Sequence, residues 1–162
     1  MDPVELLTAL VEASIGLLGF SGVVLSLGRT PEPEWSRGDR FRLICLLSMG
    51  AITLGGTLFP LVLISAEFDS REVWRAASIA WLAAAVPFLV WGNARIARAR
   101  PFPVTTQIFI IATNVVVGSA IVLQLLNLAL WNGFWPHFAA LAISLSLGVS
   151  MFIRLLWFKL FG

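Results

Sequence analysis

Between Pro101 and Ile153 the chain carries no Asp, Glu, Lys or Arg, and His137 is the only titratable side chain there. One passage through the hydrocarbon of a bilayer takes about 20 residues, so this stretch is long enough to cross twice. It also contains a natural place to reverse, the run Trp131-Asn132-Gly133-Phe134-Trp135-Pro136. The rest of the chain has to be compatible with that constraint. Hydrophobic residues make up 59% of it and charged residues 12%, where ordinary soluble domains carry about 25% charge. A soluble fold of 162 residues has too much exterior for its core to hide this much apolar surface.

Four breaks separate five apolar segments, at about residues 4–27, 41–66, 73–93, 104–130 and 136–158. Two prolines and a glycine interrupt any helix between Gly28 and Arg40, and Ser36 or Asp39 is placed to cap the next one. Pro60 and Pro87 fall inside the second and third segments, and a kink is expected at Pro60. Pro101-Phe102-Pro103 opens the fourth. The segments are continuous and apolar rather than alternating in ten-residue units, which argues against a barrel. Met1 to Leu27 has no basic n-region and too long an apolar stretch for a leader, so it reads as a retained helix. The expected fold is all-α: a polytopic transmembrane helix bundle of five transmembrane helices, residues 1–162 forming a single transmembrane domain.

Ten of the eleven basic residues are arginines, and they alternate in location. Arg29, Arg37, Arg40 and Arg42 surround the first loop, Arg95, Arg98 and Arg100 the third, and Arg154 with Lys159 the C-terminus. The N-terminus and the fourth loop have none, and in the second loop Arg71 and Arg75 are offset by Glu67, Asp69 and Glu72. By the positive-inside rule the expected topology is N-terminus outside and C-terminus cytoplasmic, in a cell inner (plasma) membrane. The competing four-span arrangement lays the first segment on the surface because of Glu5 and Glu12. Trp74, Trp91, Trp131, Trp135 and Trp157 fall near segment ends as headgroup anchors, and Trp81 falls inside.

Few residues are costly in lipid. Glu12 lies on a narrow stripe with Thr8, Gly16, Gly19, Val23 and Ser26. Small residues let another helix approach closely, and intramembrane carboxylates face a bundle interior or a wet cavity. Glu12 is thus a candidate proton or cation site, or a hydrogen-bonded tie between helices. The fourth segment is polar on two faces, Gln107, Asn114 and Gly118 on one and Thr113, Gln124 and Asn127 on another about 100° round. These amides serve either a polar pathway or interhelical hydrogen bonding. Thr53, Gly56, Thr57 and Pro60 share a face of the second segment, and His137, Leu141, Ser144, Gly148 and Met151 a face of the fifth. Both read first as packing faces, with Gly56 and Gly148 as contact points, and His137 as an interfacial histidine.

The chemistry that is missing narrows the function. There is one cysteine, Cys45, inside an apolar segment, so no disulfide or thiolate site is expected within the chain. No paired histidines, phosphate loop or Ser-His-Asp set is present, and no basic run with interleaved aromatics suggests nucleic acid. The expectation is a protein that is not an enzyme, with no catalytic residues, no metal and no cofactor.

The pattern Glu12-x6-Gly19-Phe20-x-Gly22, Trp35 with Asp39-Arg40-x-Arg42-Leu43, Leu58-Phe59-Pro60-Leu61, Leu126-Asn127 before a short hairpin, and Phe152-Ile153-Arg154-Leu155-Leu156 resembles a family of small uncharacterised bacterial membrane proteins. The resemblance implies a bacterial inner-membrane location and five helices as one unit, and no activity. Three function classes follow from the residues, and the least favoured, a membrane enzyme, would have to rest on Glu12, His137 and amides alone. Of the remaining two, one is a small homo-oligomeric channel or ion/proton pathway. The other is a non-catalytic membrane subunit that binds a partner protein or lipid.

Overall fold

The computed structural model describes residues 2–27, 37–99 and 104–161. The first polar loop with Arg29 and the Ser36 cap, and the segment holding Arg100 and Pro101-Phe102-Pro103, lie outside the described residues. The fold is all-α. Helix α1 spans Pro3–Leu27, α2 Arg37–Ser65, α3 Ser70–Arg98, α4 Val104–Leu126 and α5 Phe134–Phe161, and a π-helical turn, Asn127–Trp131, extends α4. Among the described residues there is no strand. All five helices contain a stretch long and apolar enough to cross a bilayer, and the protein is a multi-pass membrane protein.

Helix ends run past the apolar segments because hydropathy marks where hydrocarbon stops, and a helix needs only local caps to continue into water. α3 shows this at both ends. Asp69 accepts a hydrogen bond from the Arg71 amide at 3.0 Å and starts the helix ahead of Val73. Arg95 and Arg98 extend the far end beyond Asn93 into a favourable last turn. α2 starts at Arg37, so Asp39 lies in its first turn, where it accepts from Arg42 Nη1 at 2.7 Å. α2 passes through Pro60 and closes with Glu67 in the left-handed region at φ 60°. There the Phe68 amide reaches back to the Leu63 carbonyl at 3.2 Å, a closure that usually employs glycine.

The chain divides into two compact units. The first comprises residues 1–58 and 144–162, and so holds α1, most of α2 and the second part of α5. Its centre is a leucine–glycine contact. A Cβ added to Gly148 would sit 2.9 Å from Leu17 Cδ2 and 3.5 Å from Met49 Cβ, and one added to Gly50 would sit 2.7 Å from Leu18 Cδ2. Two adjacent leucines of α1 therefore occupy space that side chains at these two glycines would fill. α1 turns Leu7, Leu10, Ser14, Leu17 and Ser21 inward. The two buried serines bond to their own helix, Ser14 Oγ to the Leu10 carbonyl and Ser21 Oγ to the Leu17 carbonyl, both at 2.7 Å.

The second unit, residues 59–143, holds the end of α2, all of α3 and α4, the π turn and the start of α5. α3 and α4 run antiparallel. Asn93 Nδ2 donates to Asn114 Oδ1 at 2.8 Å near one end, and Asn127 Nδ2 donates to Ser78 Oγ at 2.9 Å near the other. The same register puts Trp81 level with Gln124, and the buried small residues Ala85 and Ala120 level with each other.

Candidate functional site

The densest polar cluster lies where α4 gives way to α5 in the second unit. The π turn is closed by the Asn132 amide, which donates to the Asn127 carbonyl at 2.7 Å. Asn132 itself is left-handed, φ 47° and ψ 50°, a conformation that asparagine tolerates better than other residues with a Cβ. The widened turn puts the Asn127 side chain against the hairpin. Asn127 Oδ1 accepts from the Gly133 amide at 2.9 Å, and Nδ2 donates to the Gly133 carbonyl at 3.1 Å as well as to Ser78. One fully buried amide thus closes the hairpin and ties it to α3.

One turn deeper on α4, Gln124 is also fully buried. Its Nε2 lies 3.4 Å from the Pro136 carbonyl and 3.4 Å from His137 Nδ1. Two buried groups at this level, Gln124 Oε1 and Trp81 Nε1, have no hydrogen-bond partner. His137 is wholly enclosed rather than interfacial. The Trp74 ring lies 6.1 Å from it, centroid to centroid, and Trp74 meets Phe134 edge-on at 5.2 Å. Trp74 is likewise buried, with its Nε1 donating to Ser70 Oγ at 3.2 Å, while Trp131, Trp135 and Trp157 are exposed as anchors are. Trp91 takes a third position, half-buried under the Arg95 guanidinium at 5.1 Å from its ring centre.

The other residues singled out from the sequence are spread over both units. Asn114 is half-buried, holding Asn93 and donating to its own Ile110 carbonyl at 3.0 Å. Gln107 is exposed near the start of α4. Thr53 and Thr57 are fully buried, but their hydroxyls donate within α2, to the Met49 carbonyl at 2.8 Å and the Thr53 carbonyl at 2.6 Å. Gly56 is half-buried between them, and Gly148 is buried in the first unit's leucine contact.

Glu12 stands apart. It is exposed, as are Thr8, Gly19 and Val23, with Gly16 half-buried. The face that packs, Leu7-Leu10-Ser14-Leu17-Ser21, lies roughly 180° round α1 from Glu12 at 100° per residue. Nothing lies within 4 Å of a Cβ added at Gly16 or Gly19. The small-residue stripe is thus turned away from the rest of its own unit.

The sequence reading missed Ser78, Asn93 and Gly50. Each had a signal of the same kind as the residues it did select, a polar or small residue inside an apolar segment, but each belonged to no stripe. No group of three His, Cys, Asp or Glu side chains comes together as a metal site among the described residues. No family model, curated protein or solved structure matches the chain.

Proposed function

We propose that the protein is a non-catalytic, self-associating subunit of the bacterial inner membrane that docks a second copy of itself through the Glu12 face of α1. The exposure of Glu12 carries this reading. The residue lies near the middle of a 21-residue apolar span, Pro3–Val23, on the side of α1 that the rest of its own unit leaves uncovered. An ionised carboxylate at such a depth costs roughly 2.5–3.5 kcal/mol on insertion scales, and a partner that hydrogen-bonds it removes much of that cost. Gly16 and Gly19, one and two turns along the same face, leave room for a helix backbone. Two copies of α1 crossing there about a two-fold axis bring their Glu12 side chains to the same depth, where two carboxyl groups can share a proton. The arginine asymmetry supports an orientation with the N-terminus outside and the C-terminus cytoplasmic.

The buried amides favour this over a pathway inside one chain, because Asn114, Gln124 and Asn127 hydrogen-bond within the second unit. Ion or proton conduction becomes the second reading if several copies gather Glu12 around an axis. Cysteine cross-linking in a Cys45→Ser background tests the docking face. Thr8→Cys and Ile15→Cys should form disulfide-linked dimers in vesicles, and Leu10→Cys, on the packed face, should not. Glu12→Leu should abolish the dimer and Glu12→Gln retain it. A monomer in nanodiscs and in several mild detergents would sink the proposal. A liposome ion flux altered by Glu12→Gln, with assembly intact, would move the conclusion to the second reading.

A further inference from the structure

The first unit brings two arginines to one level, at the end where α2 begins and α5 finishes. The early part of α2 shares the first unit with the late part of α5, and the last part of α2 shares the second unit with the start of α5. The two helices are therefore antiparallel. Gly148 marks where they are level, because a Cβ added there would lie 3.5 Å from Met49 Cβ and 3.9 Å from the Leu46 carbonyl oxygen. Arg154 follows Gly148 by about as many residues as Arg42 precedes Met49. At roughly 1.5 Å per residue, both positions are displaced by about 10 Å in the same direction. Each arginine is half-buried, and the two positive charges lie close enough to act on each other.

Their depth is that of a headgroup. The apolar spans run over Gly38–Ser65 and Phe134–Trp157, so Arg42 lies about one turn inside the start of one and Arg154 about one turn inside the end of the other. Trp157, one turn beyond Arg154, is exposed, and exposed indoles collect at headgroup level. Asp39 accepts from Arg42 Nη1 at 2.7 Å and offsets one charge. Among the described side chains at this end, Arg40, Arg42 and Arg154 still outnumber Asp39. Like charges drawn together at the edge of the hydrocarbon are costly, and an anion placed between them reverses the sign of the interaction.

We propose that Arg42 and Arg154 together hold the phosphate group of an anionic lipid. Guanidinium forks match phosphate oxygens in pairs, and basic pockets between transmembrane helices are where such headgroups bind. Ile153, beside Arg154 and one residue deeper, is exposed and gives the acyl chains an apolar surface. A soluble phosphate ion has no use for that surface.

Native mass spectrometry of protein released from nanodiscs tests the site, with phosphatidylglycerol as the probe and phosphatidylcholine as the neutral comparison. The wild-type protein should retain phosphatidylglycerol in preference to phosphatidylcholine. Arg42→Gln and Arg154→Gln should each weaken retention by roughly tenfold or more, the worth of one charge-assisted hydrogen bond. Arg98→Gln, which removes an exposed charge from the other unit, should leave retention unchanged. If Arg154→Gln does not fold, Arg154→Lys decides, because it keeps the charge and loses the planar fork, and retention should still fall. Inorganic phosphate in excess should not displace the lipid. Equal retention of the two lipids by the wild-type protein overturns the proposal, and so does unchanged retention in Arg154→Lys. A loss in Arg98→Gln as large as that in Arg154→Gln overturns it as well, since the cause would be net charge and not a site. Displacement of phosphatidylglycerol by inorganic phosphate overturns it too, because the ligand would then be a soluble ion.

Discussion

The two units hold their helices by opposite means. In the first, the buried hydroxyls of Ser14, Ser21, Thr53 and Thr57 turn back on their own helices, and Leu17 and Leu18 are seated at Gly148 and Gly50. In the second, side-chain amides bond from one helix to the next, Asn93 to Asn114, Asn127 to Ser78, Gln124 toward His137. Lipid tails are as apolar as leucine, so neither unit can rely on a hydrophobic drive between helices. Close packing adds many small dispersion gains and needs missing side chains. Hydrogen bonding adds a few directional gains and needs buried polar atoms that are costly when unpaired. The second leaves Gln124 Oε1 and Trp81 Nε1 without hydrogen-bond partners.

The comparison breaks most visibly at Asn127. Asn127→Leu removes three hydrogen bonds and strands the buried end of the hairpin, and should destabilise the protein by ~2 kcal/mol or more, read from SDS unfolding in mixed micelles. Asn127→Asp keeps the acceptor for the Gly133 amide and should recover part of the loss. Equal stability of Asn127→Leu and wild type would mean that the amide network is incidental.

A somewhat smaller effect is expected from overfilling the first unit. Gly148→Val places a branched side chain against Leu17 and Met49, and overpacking of this kind costs about 1–3 kcal/mol. The same substitution in a Leu17→Ala background should cost much less, because the opposing methyl groups are gone. Additive costs in the same unfolding assay would show that the leucine contact is not what excludes a side chain there.

The smallest effect separates single bonds of the two kinds. Asn114→Ala should cost ~0.6 kcal/mol, the average measured for one interhelical hydrogen bond in a membrane. Ser14→Ala, which removes a bond internal to α1, should cost less. A Ser14 effect exceeding that of Asn114 would reverse the contrast drawn between the units.

Particular residues show how far the sequence could be read. The helices at Val4, Phe41, Val73, Val104 and Pro136 were legible because apolar length is a local property. Their polar ends were less so, since the Asp69 cap and the final turn through Arg98 carry a helix beyond its apolar stretch. Gly148 was identified on a stripe and sits in a close contact, whereas the stripe through Gly16 and Gly19 also carries glycines and faces away from its own unit. His137 read as an ordinary interfacial residue by depth, and burial against Trp74 makes it a core residue. The π turn that aims Asn127 was not legible, because its closing bond is one backbone amide from Asn132 and no side-chain pattern records it.

The sequence by itself determined that the chain is helical and crosses a membrane several times. In hydrocarbon each unpaired backbone group costs several kcal/mol, so a long apolar run has almost no choice but helix. Only the tertiary structure decided which side of each helix is inside. In water the polar face points outward and periodicity reveals the core. In lipid both faces are apolar, and a small or polar residue is compatible with the interior, with an assembly surface, or with its own helix backbone. Leu17 against Gly148 and Glu12 on the opposite face of α1 are told apart by contact alone.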